Sequence, residues 1–270
     1  MQVGDIEKAN VRRSKDGRPY IRQPDSDKEL LYTRASTYAK ALSDGGGLCA
    51  WKQRMAYIGL SAEPRLLGET DRVGIDGRIA EAMELAGAND AARLGTALHG
   101  LTEIMDGTGE PLVREHWNLS PSVWDALDRY VEVTKSLEML SMEQFVVLDS
   151  LKVAGSYDRI VRLPDGRKVV ADLKTGSTLR MQEHAIQLAL YAHGSPYDPE
   201  TGVRTPQDMD GLDTSIGLII HVPADPSVAE TRLIGVDLVA GWEMVLLADE
   251  VRKSRSRKVG VEITMERIDA

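Results

Sequence analysis

The spacing of apolar residues divides the chain into a helical first half and a second half built from short strands. From residue 32 to residue 137, apolar side chains recur every three or four positions, which predicts a series of amphipathic helices. From residue 143 the pattern changes to short β-branched runs, which predict strands. The predicted order there is three strands, a helix, two strands and a long helix. This order predicts an α/β protein with a central mixed β-sheet flanked by helices and a helical N-terminal portion.

Five helices are predicted in the first half. Their sequences are TRASTYAKAL, LCAWKQRMAYIGL, GRIAEAMELAG, ARLGTALHGLTEIM and PSVWDALDRYVEVTKSLEML. The glycines at positions 45 to 47 are predicted to break the first from the second. One face of the second helix collects Leu48, Trp51, Met55 and Ile58. The four tryptophans are expected in the core rather than as platforms for stacked bases: Trp51, Trp117, Trp124 and Trp242.

The second half is predicted to contain the central sheet. Its strands are EQFVVLDS, VAGSYDRIVRL, KVVADLKT, TSIGLIIHVP and ETRLIGVDL, and its helices are RMQEHAIQLALYAHG and VAGWEMVLLADEVRK. The tail SRSRKVGVEITMERIDA is expected to add a final strand. A polar segment, 1–30, with DGRPYIRQP as a short edge strand, is followed by one domain, 31–270, divided into a helical part, 31–140, and a sheet core, 141–270.

Composition and charge exclude several classes of protein. The single cysteine, Cys49, rules out a disulfide framework and a cysteine-ligated zinc or iron–sulfur site within one chain, and it suits a reducing cytoplasm. No apolar run reaches the roughly 20 residues of a membrane span, and the first residues do not resemble a signal peptide. The net charge of −9 argues against coating nucleic acid with the whole surface. An enzyme with a local basic groove and metal-binding carboxylates remains compatible.

Two aspartates are predicted to meet on a hairpin. The turn PDGR joins two strands, so facing residues have numbers that sum to 331 for a two-residue loop or 330 for a three-residue loop. Asp158 and Asp172 sum to 330 and therefore lie opposite each other or one step apart. Directly opposed like charges destabilise a sheet. A positive group is therefore expected between them, and a divalent cation is the economical candidate.

Strand alternation adds a lysine to this pair. Asp172 and Lys174 are two residues apart, so they point to one face, whereas Val169, Ala171 and Leu173 point to the other. Carboxylate oxygens suit Mg²⁺ or Mn²⁺, a bound cation makes water easier to deprotonate, and an ammonium can orient that water. Together these groups predict hydrolysis of a phosphodiester. For each residue taken alone, a surface ion pair is the alternative interpretation.

Four motifs resemble one family. They are Gly95-Thr-Ala-Leu-His99, Gly155-Ser-Tyr-Asp158, Asp172-Leu-Lys174-Thr-Gly176 and Gln187-Leu-Ala-Leu-Tyr191. Their order over about residues 90–195 resembles the PD-(D/E)XK nuclease superfamily, and most closely its RecB-like exonuclease branch of bacteriophage and CRISPR-associated type. The resemblance implies a restriction-endonuclease-like core. Because many relatives hold an iron–sulfur cluster with four cysteines, this chain resembles the cluster-free versions.

The resemblance implies a role for each motif residue. Asp158 and Asp172 would bind Mg²⁺ or Mn²⁺ with the backbone carbonyl of Leu173, and His99 would be a further ligand. Lys174 would position or activate the attacking water. Gln187 and Tyr191 share a helix face that would look toward the scissile phosphate. Glu143 resembles a further acidic position. Glu103, one turn after His99, shares its helix face.

Alternatives stay open for several of these residues. His99 alone fits a hydrogen-bonded core histidine, Gln187 and Tyr191 fit caps of the sheet edge, and Glu143 fits a solvated strand start. The other histidines form no convincing ligand spacing: His116, His184, His193 and His221. A basic run is either a phosphate contact or a solvated helix end: Arg252, Lys253, Arg255, Arg257 and Lys258.

The function implied is a metal-dependent DNA exonuclease acting on linear DNA with a free end, in viral or bacterial recombination, repair or replication. Since no helicase motif is present, unwinding would need a separate helicase or recombination protein. Two alternatives remain open: a structure-selective endonuclease on the same fold, and a non-catalytic DNA-binding subunit. The intact D-x-K motif argues against the second.

Overall fold

The helices and strands of the predicted scheme are present, with changes at their ends. The computed structural model describes residues 10–24, 26, 28–205, 211–227 and 229–259. The helices in this part are α1 (Ala35–Ala39), α2 (Gly46–Ala62), α3 (Arg72–Leu85), α4 (Asp90–Thr108), α5 (Pro121–Thr134), α6 (Met181–Ala192) and α7 (Leu238–Arg255). The strands are β1 (Tyr20–Arg22), β2 (Glu29–Leu31), β3 (Thr33–Arg34), β4 (Glu138–Met142), β5 (Phe145–Leu148), β6 (Val153–Ser156), β7 (Arg159–Arg162), β8 (Lys168–Lys174), β9 (Ser195–Pro196), β10 (Ile216–His221) and β11 (Arg232–Asp237).

The strands form mixed sheets, as the predicted fold class requires. The largest sheet has the order β11-β10-β8-β7-β4, in which β8 and β10 are parallel and the other pairs antiparallel. A second sheet has the order β3-β6-β5-β9, and β1 pairs with β2 alone. Helices cover these sheets. The α/β class is therefore confirmed, although the strands divide between sheets instead of forming a single one.

The large sheet is covered on both faces, and strand β8 shows why. Its residues Val169, Ala171 and Leu173 pack among apolar side chains of α4 and α5, whereas Val170 packs with residues of α6 and α7. Because successive side chains of a strand point to opposite faces, β8 contributes to both cores. The predicted division of this strand into two faces is confirmed. Asp172 and Lys174 occupy the α6 face at the end of the strand.

Two predicted boundaries in the centre of the chain are wrong. The strand expected over VAGSYDRIVRL divides after Ser156 into β6 and β7, which belong to different sheets. The helix expected to run to residue 140 ends at Thr134, and residues 138–142 form β4. Because β4 follows the helix within four residues, its apolar positions extend the helical spacing by chance. The part from 31 to 140 therefore contributes two strands, β3 and β4.

The second predicted helix differs from the prediction in the residue at which it begins and in how deeply its apolar face is buried. Helix α2 begins at Gly46 and so includes two of the three glycines that were expected to separate it from the first helix. Its expected apolar face is not buried, since Leu48 is 39% and Ile58 52% exposed. Trp117 is exposed as well, unlike Trp124, which is buried. Helices α2 and α3 pack mainly on each other.

The predicted edge strand near the N-terminus is present as β1, paired antiparallel with β2. The strand expected in the tail lies mostly outside the described residues. Among the helices of the described ranges, none combines the length and apolar character needed to cross a bilayer.

Candidate active site

The hairpin of β7 and β8 brings the two predicted aspartates together. Arg162 pairs with Lys168 and Arg159 with Ala171, so partners sum to 330. The loop has three residues, 164–166, and its Gly166 has φ of 90°, which suits glycine at the end of such a turn. The same register places Asp158 across from Asp172, one step beyond the last paired residues. The three-residue alternative is thus the one observed.

Asp158 lies where the chain crosses from one sheet to the other. Its Oδ2 accepts the backbone N–H of Leu173 at 3.0 Å, and its backbone carbonyl accepts the N–H of Glu143 at 3.1 Å. Tyr157, which is 1% exposed, anchors the crossing with hydrogen bonds to Ser141 and Gln144. These contacts fix the Asp158 carboxylate beside the end of β8. Glu143, with φ of 51°, lies at the same place.

Asp172 is buried and forms an ion pair with Lys174. Only 3% of Asp172 is exposed, and burial together with the nearby Asp158 carboxylate raises its pKa to about 6. Burial alone would lower the pKa of Lys174, but the carboxylates of Asp172 and Asp158 outweigh it, so this pKa is raised. The positive group that the opposed aspartates require is, in this arrangement, the lysine ammonium.

Helix α4 places His99 beside Asp158. The His99 Nδ1 lies 3.3 Å from Asp158 Oδ2. Burial lowers the pKa of His99, although Asp172 acts in the opposite direction. The imidazole is therefore neutral at neutral pH and keeps a lone pair, which is the form that binds a metal. One turn earlier, a Cβ on Gly95 would lie 2.8 Å from Thr175 Oγ1, so α4 packs closely against the end of the hairpin.

Helix α6 brings the last predicted pair to the same region. Gln187 Nε2 donates to Tyr191 Oη at 3.1 Å, and Tyr191 is 5% exposed. A Cβ on Gly155 would lie 3.3 Å from Tyr191 Oη. The pKa of Tyr191 is raised mainly by burial, and the charges of Asp172 and Asp158 act in the same direction. The four motifs therefore contact one another through their glycines as well as their polar residues.

One histidine near the site carried no prediction. His184 lies on α6, three and seven residues before Gln187 and Tyr191, so the three share a helix face. Burial and the Lys174 ammonium lower the pKa of His184, and its Nε2 accepts the backbone N–H of Arg180 at 3.2 Å. The i, i+3, i+7 spacing with the Q-x-x-x-Y motif is the signal that identifies it.

The basic run at the end of α7 divides into structural and exposed residues. Arg252 donates to Thr33 Oγ1 at 2.9 Å, and its guanidinium carbon lies 4.9 Å from the Tyr38 ring centroid. Lys253 pairs with Asp249 at 2.5 Å. Arg252 therefore joins α7 to the N-terminal part. The contact with nucleic acid stays a prediction for the exposed members, Lys253, Arg255, Arg257 and Lys258.

The site contains the kinds of ligand atom that a hard divalent cation prefers, but these atoms do not converge on one point. Carboxylate oxygens from Asp158 and Asp172, with the neutral imidazole of His99, are donors that suit Mg²⁺ or Mn²⁺. Within the described ranges, no three His, Cys, Asp or Glu side chains converge as metal ligands. Asp172 is held by Lys174 and Asp158 by the Leu173 amide. Binding a cation requires these side chains to exchange partners.

A buried ion pair supports the site from the α4 side. Arg159 is fully buried next to Asp158, and its Nε donates to Asp106 Oδ2 at 2.6 Å. Its Nη2 donates to Thr102 Oγ1 at 2.7 Å, and Tyr130 Oη donates to the same Asp106 oxygen at 2.6 Å. Arg159 thereby connects β7 with α4 and α5. The His99 helix is fixed relative to the hairpin by this contact.

Comparison with known families identifies the segment that carries the motifs. Residues 91–195 match the family model of the PD-(D/E)XK nuclease superfamily, and this range contains all four motifs. Comparison with curated proteins gives no match. Members of the superfamily typically use Mg²⁺ or Mn²⁺, and the mixed α/β architecture is consistent with their restriction-endonuclease-like fold. The segment 91–195 is therefore similar to PD-(D/E)XK nucleases, and this similarity indicates a metal-dependent nuclease that acts on DNA.

Proposed function

We propose that this protein is a divalent-metal-dependent DNA exonuclease whose site consists of His99, Asp158, Asp172 and Lys174. The observation that carries the proposal is the meeting of two aspartates and a lysine at the end of one hairpin, with a neutral imidazole 3.3 Å from one aspartate. The order and mutual contacts of the four motifs support a RecB-like enzyme of the cluster-free bacteriophage type. Its proposed setting is DNA recombination, repair or replication, beside a separate helicase or recombination protein.

Each residue has a proposed role in hydrolysis. Mg²⁺ or Mn²⁺ would be held by Asp158, Asp172, His99 and the Leu173 backbone carbonyl, with Glu143 as an additional acidic group. The cation supplies charge stabilisation to the phosphate and makes water more acidic. Lys174, released from Asp172, holds the attacking water or stabilises charge that develops on the phosphate.

The second group of residues orients the substrate and the site. Gln187, fixed by its hydrogen bond to Tyr191, faces the scissile phosphate. His184 lies within the field of Lys174 and shares the helix face of Gln187. The exposed basic residues at the end of α7 and directly after it contact the DNA backbone: Lys253, Arg255, Arg257 and Lys258.

Cleavage of end-labelled linear DNA tests the proposed activity. The wild type is expected to release mononucleotides or short products with Mn²⁺ and none without it. Lys174→Ala is expected to lose at least a hundredfold in rate, in line with removal of one charge-stabilising group. Lys168→Ala, at the opposite end of the same strand, is the matched control and keeps activity. Equal cleavage by Lys174→Ala and the wild type would remove the proposed mechanism.

A closed substrate separates the exonuclease from the endonuclease. Covalently closed circular DNA has no end, so an exonuclease leaves it intact, and its cleavage would instead establish the structure-selective endonuclease. A non-catalytic subunit would bind DNA without cleaving it, and Asp172→Ala would leave that binding unchanged.

Metal binding has a readout independent of cleavage. A ligand that binds only the folded state stabilises it in proportion to the logarithm of its concentration. We expect Mn²⁺ at 100 times its dissociation constant to stabilise the wild type by about 2.7 kcal/mol, measured by thermal unfolding. Asp172→Asn, which removes a ligand charge, should lose this stabilisation. An equal Mn²⁺ effect on both proteins contradicts the assignment of the ligands.

A further inference from the structure

A row of basic residues crosses the large sheet from the proposed active site to its edge. Lys174 on β8 is paired with His221 on β10, and His221 is paired with Arg232 on β11. Paired residues of neighbouring strands lie on the same face, and all three are on the α6 side. Since neighbouring strands are about 4.8 Å apart, the Cα of Arg232 lies about 10 Å from the Cα of Lys174. The row therefore leads outward from the position proposed for the scissile phosphate.

A cavity lies over the outer part of this row. It has a volume of about 600 Å³ and is lined by residues 177–179 and Met181 on one side and by His221, Ala229 and residues 232–234 on the other. We call it the edge cavity. Although the chain has a net charge of −9, the described residues that line the edge cavity include no carboxylate. The lining residues include Arg232, which supplies a guanidinium, and Ser177 and Thr178, which supply hydroxyls.

The wall of the edge cavity is fixed by hydrogen bonds to three successive carbonyls. The backbone N–H of Val222 donates to Lys174 O, and that of Ala224 donates to Thr175 O, both at 2.9 Å. His221 Nε2 lies 2.9 Å from Gly176 O and therefore carries the proton. The loop after Lys174 is thus held against β10 before any ligand arrives. A preformed site loses less conformational freedom on binding than a mobile one.

Two side chains of the edge cavity have unused hydrogen-bonding groups. The guanidinium of Arg232 makes no hydrogen bond, ion pair or ring contact with the part of the chain that the structure describes, and the residue is exposed. His221 is 1% exposed, and its Nδ1 is buried without a hydrogen-bond partner among the described residues. Most buried polar atoms have a partner, and an exception commonly indicates a bound water or ion. Because Nε2 carries the proton, Nδ1 is an acceptor that suits a water, so the group free to bind an anion is the Arg232 guanidinium.

We propose that the edge cavity binds a backbone phosphate of the DNA strand that continues from the scissile phosphate. Arg232 and the hydroxyls of Ser177 and Thr178 donate to this phosphate, as arginine and hydroxyl side chains commonly do in complexes with DNA. The 10 Å from Lys174 corresponds to about one to two nucleotides, since the backbone of a duplex winds around the axis while it rises about 3.4 Å per phosphate. His221 is a positioning residue that joins the edge cavity to the loop after Lys174. The inference rests on the proposed nuclease function and extends it to the path of the substrate.

Equilibrium binding tests the site separately from cleavage. The background is Lys174→Ala, so that the labelled DNA duplex stays intact, and affinity is measured by fluorescence anisotropy at several salt concentrations with constant Mg²⁺. Adding Arg232→Gln should weaken binding about tenfold and reduce the salt slope by about 0.9, the loss of one phosphate contact. The control is Arg162→Gln, which removes an arginine of the same sheet that pairs with Glu138. Equal affinity and equal salt slope for the two variants would overturn the inference.

A scan with single methylphosphonates locates the contact, because each removes the charge of one phosphate. One position about one to two nucleotides from the cut should weaken binding in the Lys174→Ala background but cause no further loss once Arg232→Gln is present. Additive losses at every position would overturn the inference even if Arg232→Gln weakens binding. The proposed function fails differently: the wild type would not cleave linear DNA with Mn²⁺, whatever the effect of Arg232→Gln on DNA affinity.

Discussion

At the scale of single residues, opposing effects set the pKa of Asp172. Burial favours the protonated carboxyl, and the nearby Asp158 carboxylate acts in the same direction, whereas Lys174 favours the ionised form. The result is a pKa raised to about 6. A carboxyl with this pKa releases its proton just below neutral pH. Protons therefore compete with a cation for Asp172 within an accessible pH range.

This competition predicts the pH dependence of metal binding. Above pH 6 Asp172 is ionised and Mn²⁺ affinity should be nearly constant. Below pH 6 each further unit should weaken binding about tenfold, because the cation must displace a proton from a group whose pKa is about 6. His99 should add little above pH 6, since its pKa is lowered. Titration calorimetry at pH 5 and pH 7.5 measures the effect, and an unchanged affinity between them would contradict it.

At the scale of elements, the pair of α2 and α3 depends on one close contact. A Cβ on Gly59 of α2 would lie 1.8 Å from the carbonyl oxygen of Ala82 on α3. The backbones approach each other directly at this point. Because both helices leave large apolar residues exposed, such as Tyr57 at 74% and Val73 at 81%, their association rests on this contact more than on burial.

Two alanine substitutions in these helices should have opposite effects. Gly59→Ala forces the backbones apart and should destabilise the pair by about 1–3 kcal/mol, the usual cost of overpacking. Gly77→Ala should stabilise α3 by about 0.5–1 kcal/mol, since nothing lies within 4 Å of the new Cβ and alanine is the better helix former. Hydrogen exchange of the α2 and α3 amides reports both effects. Equal protection in the two variants would show that the Ala82 contact is relaxed in solution.

At the scale of the whole molecule, the helical part and the large sheet are joined by a buried charge. Arg159 of β7, Asp106 of α4 and Tyr130 of α5 share hydrogen bonds within a layer of apolar side chains. An ion pair in such surroundings contributes less to stability than its attraction suggests, but removing one partner leaves the other buried and unpaired. The position of α4, and with it His99, depends on this contact.

Removal of the Asp106 carboxylate should therefore lower the stability of the entire protein. Asp106→Ala should lower the free energy of unfolding by about 3–5 kcal/mol, because Arg159 remains charged and buried. Asp128→Ala is the control, since Asp128 is 64% exposed in its pair with Arg114, and surface pairs contribute about 0–1 kcal/mol. Urea unfolding followed by circular dichroism measures both. Similar losses for the two variants would mean that solvent reaches Arg159.

Local patterns in the sequence determined the elements and the chemistry of the hairpin. Alternation along β8 fixes which side chains face the helices, and the loop length fixes the register that puts Asp158 across from Asp172. Both follow from geometry within about 20 residues. The helical spacing of Gln187 and Tyr191 is equally local, and so the face that they share was predictable.

Only the tertiary structure decided how these pieces meet. The crossing between sheets at Tyr157 and Asp158 depends on strands far apart in sequence, and a continuous β pattern hides it. The same holds for His221, whose place beside Lys174 follows from parallel pairing of β8 with β10. Helix α2 shows the converse, since Leu48 and Ile58 of its predicted apolar face are exposed. Periodicity specifies which side of an element is apolar, whereas the partner of that side depends on long-range packing that local spacing does not encode.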